Sequence, residues 1–226
     1  MRRGEVVPGS LSTRVAARSA RHIAGRPGCP RTLAGVITTG QGDVPAEFMR
    51  ALHSLRAARL RPEVELEEVP GPGRIAPWSV ALTGEVRRPQ DEEGLASGRF
   101  VVLHDPAGQE AWDGTFRVVS LVRGTLEPEV ATDALLGEVA WSWFTDALAG
   151  AGVTAHAAGG TVTRVLSQSF GALADRPDEV EVEIRASWTP LDADLGPHLV
   201  AWATLLCTTG GLPPMPDGVA VLGRRH

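Results

Sequence analysis

Residues 103–114 read LHDPAGQEAWDG and place His104, Asp105, Glu110 and Asp113 in one short span between two apolar runs. An imidazole with three carboxylates could supply a general acid and base, or oxygen and nitrogen ligands for a metal ion. The same span also satisfies turn chemistry. Asp105, Pro106 and Gly108 occupy the first, second and fourth positions preferred in a type I turn. On that reading His104 and Gln109 close a hairpin, and Trp112 covers the sheet a few residues on. A hairpin without catalysis is the expectation. A small hydrolase or metal-dependent enzyme, using His104, Asp105, Glu110 or Asp113 of this loop, is the alternative.

Other segments that could do chemistry have simpler explanations. GAGVTA at 150–155 matches a dinucleotide-binding fingerprint in letters, but it follows a helix where the fingerprint must precede one. It reads as a helix stop. SQSFG at 167–171 has Ser167 where a nucleophile elbow needs Gly. LDADLG at 191–196 offers two acids, Asp192 and Asp194, whose expected role is helix capping. Cys29 and Cys207 are far apart and belong to no CxxC or His/Cys cluster. No cofactor-binding or metal-binding motif is read from the chain. The HD pair of metal-dependent phosphohydrolases sits in a helical bundle, whereas RFVVLHD here ends a strand-like run.

The elements that must position these residues follow from periodicity. DVPAEFMRALHSLRAARLRP (43–62) predicts a helix with Phe48, Ala51, Leu52, Leu55 and Ala58 on one face and His53 on the other. Strands are predicted at about 63–69, 76–87, 98–104 and 111–123. A helix over 133–150 follows, with Asp133 as cap and Gly150 or Gly152 as stop. Its apolar arc covers more than half the circumference, so it must touch two things: the sheet, and a second helix or subunit. Trp141, Trp143 and Phe144 on that arc are interface candidates for a homodimer or a protein partner. Strands at about 160–170 and 179–189 come next, the second alternating strictly from Glu179 to Trp188. A last helix runs about 194–209, to Gly210. The order α-β-β-β-β-α-β-β-α groups strands in runs, which predicts an α+β fold with a mostly antiparallel sheet of about six strands and three helices.

Composition narrows the function classes. All 22 basic side chains other than His are Arg, with no Lys, Asn or Tyr anywhere, a bias that GC-rich coding produces. Residues 1–42 hold seven Arg and one acid, Glu5, and read as a disordered Arg-rich tail, an over-extended start being one origin. Residues 43–226 read as a single α+β domain ending in a Pro-rich tail. This part carries a net charge of −11, which disfavours nucleic acid as a partner. No apolar run approaches the ~18 residues of a membrane span, and a cytoplasmic setting is expected.

The phrases HDPAGQEAWDGTFR, WSWFTDAL, GTVTRVLSQSFG, EIRASWTP and LCTTGGLPPMPDGV together resemble an actinobacterial family, domain of unknown function 3000 (DUF3000). The resemblance runs from about Pro45 to Leu222 and leaves residues 1–42 outside. It implies no established activity and so assigns no catalytic residues. The expected function is a non-enzymatic binding or scaffold module, homodimeric through the 133–150 helix.

Overall fold

The computed structural model describes residues 43–88, 94–127 and 133–213; the Arg-rich segment 1–42 and most of the Pro-rich C-terminal segment lie outside them. Among the described residues, three helices and six strands follow in the expected order: α1 (Ala46–Ala57), β1 (Val64–Val69), β2 (Trp78–Val86), β3 (Ala96–Gln109), β4 (Gly114–Leu126), α2 (Leu136–Gly150), β5 (Ala155–Ser167), β6 (Glu179–Pro190) and α3 (Gly196–Thr209). The strands form one antiparallel sheet in the order β1-β2-β3-β4-β6-β5. The fold is α+β, as the grouping of strands predicts.

One face of the sheet carries the core. Val80, Leu82, Phe100, Val102, Val118, Val122, Ile184 and Trp188 alternate inward and are buried beneath the helices. Phe48, Leu52 and Leu55 of α1, Phe144 and Leu148 of α2, and Leu199, Trp202 and Leu206 of α3 close over them. Two adjacent glycines make the seat for α3. Gly84 and Gly98 are paired across β2 and β3, and a side chain at either would run into the Trp202 ring. The absence of two Cβ atoms therefore lets the Trp202 ring approach the sheet closely, and its indole N–H donates to the Leu121 carbonyl at 3.4 Å.

The caps differ in part from expectation. Asp133 accepts from the Leu135 N–H at 2.8 Å, and Gly152 (φ 67°) stops α2 in the left-handed conformation that costs glycine nothing. The N-terminus of α3 is satisfied neither by Asp192 nor by Asp194. The Gly196 N–H donates instead to the Ser54 hydroxyl of α1 at 2.6 Å, and Ser54 in turn donates to Asp194. α1 presents no side-chain cap.

The reversal between β3 and β4 also lies elsewhere than predicted. His104 and Gln109 do not close a hairpin together; His104 pairs with Phe116 and Gln109 with Gly114. Asp105–Gly108 is a bulge within β3, and the chain turns through Glu110–Trp112 and Asp113, whose φ of 54° is left-handed. Asp tolerates that conformation better than most residues. β5 begins ahead of the predicted start near residue 160: the run AHAAGG is already strand, with its own irregularity between His156 and Gly159 and Ala157 at φ 48°. Its small residues carry no strand period of their own; pairing with β6 imposes the conformation.

Candidate functional site

The four candidate residues of the 104–113 span part company in three dimensions. His104 lies on the helix-covered face with no exposure at all. Its ring stacks on Phe116 at 4.2 Å and on Phe48 of α1 at 5.8 Å. Nδ1–H donates to the Thr115 carbonyl at 3.0 Å, so the proton is on Nδ1 and Nε2 is left as a buried acceptor without a partner. Burial pushes the imidazole pKa down, against the opposing pull of the Thr115 bond. Asp105 ties its own bulge: one oxygen accepts from the Ala107 N–H at 3.0 Å and the other from Gln109 Nε2 at 3.1 Å. Glu110 is exposed at the start of the turn.

Asp113 finds a different histidine. His156 Nε2 lies 2.8 Å from the Asp113 carbonyl oxygen and 3.6 Å from its carboxylate. This contact crosses 43 residues, and no local motif announces it. Behind it, Thr189 donates to the Trp112 carbonyl, and Arg117 reaches the Ala157 carbonyl, the Thr189 hydroxyl and the Ser187 hydroxyl at 2.7–3.0 Å. Burial lowers the Arg117 pKa, and its acceptors are all neutral. These bonds lock the turn and the β5 irregularity onto the end of the sheet. Among the described residues no group of three or more His, Cys, Asp or Glu side chains is arranged to hold a metal ion.

His198 is also interior. Trp188 Nε1–H donates to its Nδ1 at 2.8 Å, which requires a neutral ring. Burial, opposed by Asp192 and Asp194, lowers its pKa to about 4. Cys207 is buried and its thiol is pushed up to about 11, away from nucleophilic chemistry.

The second face of the sheet has no helix over it among the described residues, and the strand register sorts it into rows. Val69, Ala81, Val101, Val119, Ser187 and Gly159 form one row across all six strands. The next contains Arg99, Leu121 and Arg185, and the one after it Arg123 and Glu183. At one end Trp112 and Ala76 fold over Ala81, Val101 and Leu103 as a small second core. At the other, Glu183 is buried between Arg185 and Arg123, which hold its carboxyl below the usual range. Between them lies a shallow depression of about 430 Å³ with Val101, Val119 and Leu121 as floor and Arg99 and Arg185 at its rim. Val119 is 39% exposed. Arg99 donates to the Pro70 carbonyl at 2.9 Å and, among the described residues, neither Arg99 nor Arg117 has a carboxylate at ion-pair distance. RVVSLVR (117–123) does not alternate in polarity, since it buries Ser120 and exposes Val119, so the sequence of β4 does not announce this face.

The wide apolar arc of α2 is accounted for by packing within the chain. Phe144 is a core residue, its ring 5.3 Å from Trp188 and 4.9 Å from Trp141. Trp141 covers Gly160 of β5, and Trp141 and Trp143 are both partly buried against the core. The arc thus meets β5 on one side and α3 on the other. Val139 and Leu135 remain exposed.

No helix among the described residues is long and apolar enough to cross a membrane. No curated protein and no solved structure matches the chain. The family described as "Protein of unknown function (DUF3000)" matches residues 44–220, which takes in every described strand and helix, and the chain belongs to that family.

Proposed function

We propose that the protein is a non-enzymatic, cytoplasmic binding or scaffold module that receives a protein partner on the open face of its sheet. The observation that carries this reading is the Val101–Val119–Leu121 floor beside Arg99, an exposed cation whose acceptor among the described residues is a backbone carbonyl. Apolar floor and unneutralised guanidinium together suit a segment that presents apolar and acidic side chains. A rigid sheet with its helices on the other side holds that surface without loop rearrangement. An enzymatic site at residues 104–113 would need His104 to converge with the carboxylates, yet its ring is enclosed by Phe48 and Phe116.

A photo-crosslinking side chain placed at Val119 tests the proposal in cells of the native host, with the same group at exposed His53 as control. Adducts to another protein at position 119, absent at 53 and lost in the Arg99→Glu background, are expected. Adducts no stronger than at 53, or indifferent to Arg99→Glu, would contradict it. Adducts to a second copy of this chain would contradict it too.

A further inference from the structure

β5 is an outer strand of thirteen residues and, among the described residues, is hydrogen-bonded on one side only, to β6. Nearly all of it is exposed. After the irregularity at 157–158 it runs straight from Gly159 to Ser167, pairing residue for residue with β6. That straight segment, GGTVTRVLS, has no Pro, no bulge and a single charge, Arg164. Of the nine large hydrophobic residues that are exposed in the described chain, four lie on this strand or just after it: Val165, Leu166, Phe170 and Leu173. Outer strands present a row of unpaired N–H and C=O groups, and natural proteins shield them with charge, proline, bulges or shortness. The straight part of β5 has none of these beyond the single Arg164. The opposite outer strand, β1, is six residues long and reads VELEEV.

We infer that β5 is a homodimerisation edge, pairing antiparallel with β5 of a second copy about a two-fold axis at Thr163. Three features select a second copy. Antiparallel self-pairing uses the same segment on both partners and closes at two. The resulting twelve-stranded sheet ends at β1 on both sides, so each remaining edge is a short acidic one. The Thr163 centre is also the one that pairs all nine residues of the straight segment. It sets Thr163 against Thr163, Thr161 against Val165, and Gly160 against Leu166, and it keeps the helices of both copies on one face. Arg164 falls opposite Val162 rather than its own copy, which avoids like charges facing each other. Leu166 of each copy comes beside Gly160 of the other, where the Trp141 ring already lies. Trp141 is thereby an interface residue through β5, and the α2 arc is its support.

Charge at the axis gives the test. Thr163→Glu and Thr163→Arg each put like charges face to face in a self-pair and opposite charges in a mixed pair. Molar mass by light scattering should be twice 23.9 kDa for the natural chain. Each variant alone should fall to the monomer mass, and an equimolar mixture should return to the dimer. Restoration in the mixture shows that neither variant has lost its fold. A natural chain that stays monomeric over the concentration series overturns the inference. So does a dimer indifferent to both substitutions, which would place the contact elsewhere, and so does a mixture that remains monomeric. None of these three results bears on partner binding at Val119, which the crosslinking experiment decides separately.

Discussion

The two outer strands of the sheet share one core and one hydrogen-bonding chemistry, yet their exposed sides are built differently. β1 is six residues long and carries Glu65, Glu67 and Glu68. β5 is more than twice that length and has one charge over its straight part. A second copy that approached β1 through its own β1 would bring three carboxylates against three others. At β5 it would meet threonine, glycine and aliphatic side chains. The difference teaches that edge protection is local: a chain with a net charge of −5 can still leave one strand open to pairing.

The comparison fails if β5 is exposed only because it frays. Trp188 of β6 decides this with the largest effect, because it is 1% exposed and packs against Phe100, Phe144 and His198 beneath the strand that holds β5. Trp188→Ala should cost about 3–5 kcal/mol, as large aromatic truncations in cores do. Urea unfolding followed by tryptophan fluorescence and by circular dichroism should shift as one transition. Two separated transitions would mean that the β5–β6 end unfolds by itself.

A smaller effect comes from acid. His198 is neutral in the fold with a pKa near 4, below the ordinary 6.5, so between those values the unfolded chain binds the extra proton. Its contribution is complete above about 6.5 and declines as pH falls toward 4, by at most about 3 kcal/mol. His104 shifts in the same direction, also by burial. Urea midpoints measured from pH 7 to pH 4 should therefore fall, and His198→Gln, which keeps an acceptor for the Trp188 N–H, should flatten the slope. An unchanged slope would show that the buried histidine does not couple to the stability shared by both edges.

Much of this architecture is legible in the residues. Strict alternation in EVEVEIRASWT fixes β6 because its two faces meet such different surroundings, and the wide apolar arc of α2 reports two neighbours, β5 and α3. What escapes local reading depends on residues far apart in the chain. The DPAG run has every preference of a reversal, but the turn occurs five residues later, where Asp113 can meet His156 and Trp112 can meet Thr189. Asp192 and Asp194 look like caps for α3, while the cap is Ser54, 142 residues away. His104 has the composition of a catalytic residue; its place opposite Trp78 on the covered face comes from the register of β2 and β3, and that register is a long-range property. The open face is not written in β4, where RVVSLVR buries Ser120 and exposes Val119; the packing of the described helices on the other face leaves its centre uncovered among the described residues.

The edge claim is tested most directly by hydrogen–deuterium exchange followed peptide by peptide across a dilution series. Antiparallel pairing should protect alternate amides between Gly159 and Ser167 that face away from β6. Their exchange should slow as concentration rises, while amides of Val64–Val69 exchange at the same rate throughout. Exchange in β5 that is independent of concentration, or protection that appears in β1 as strongly as in β5, would contradict the account.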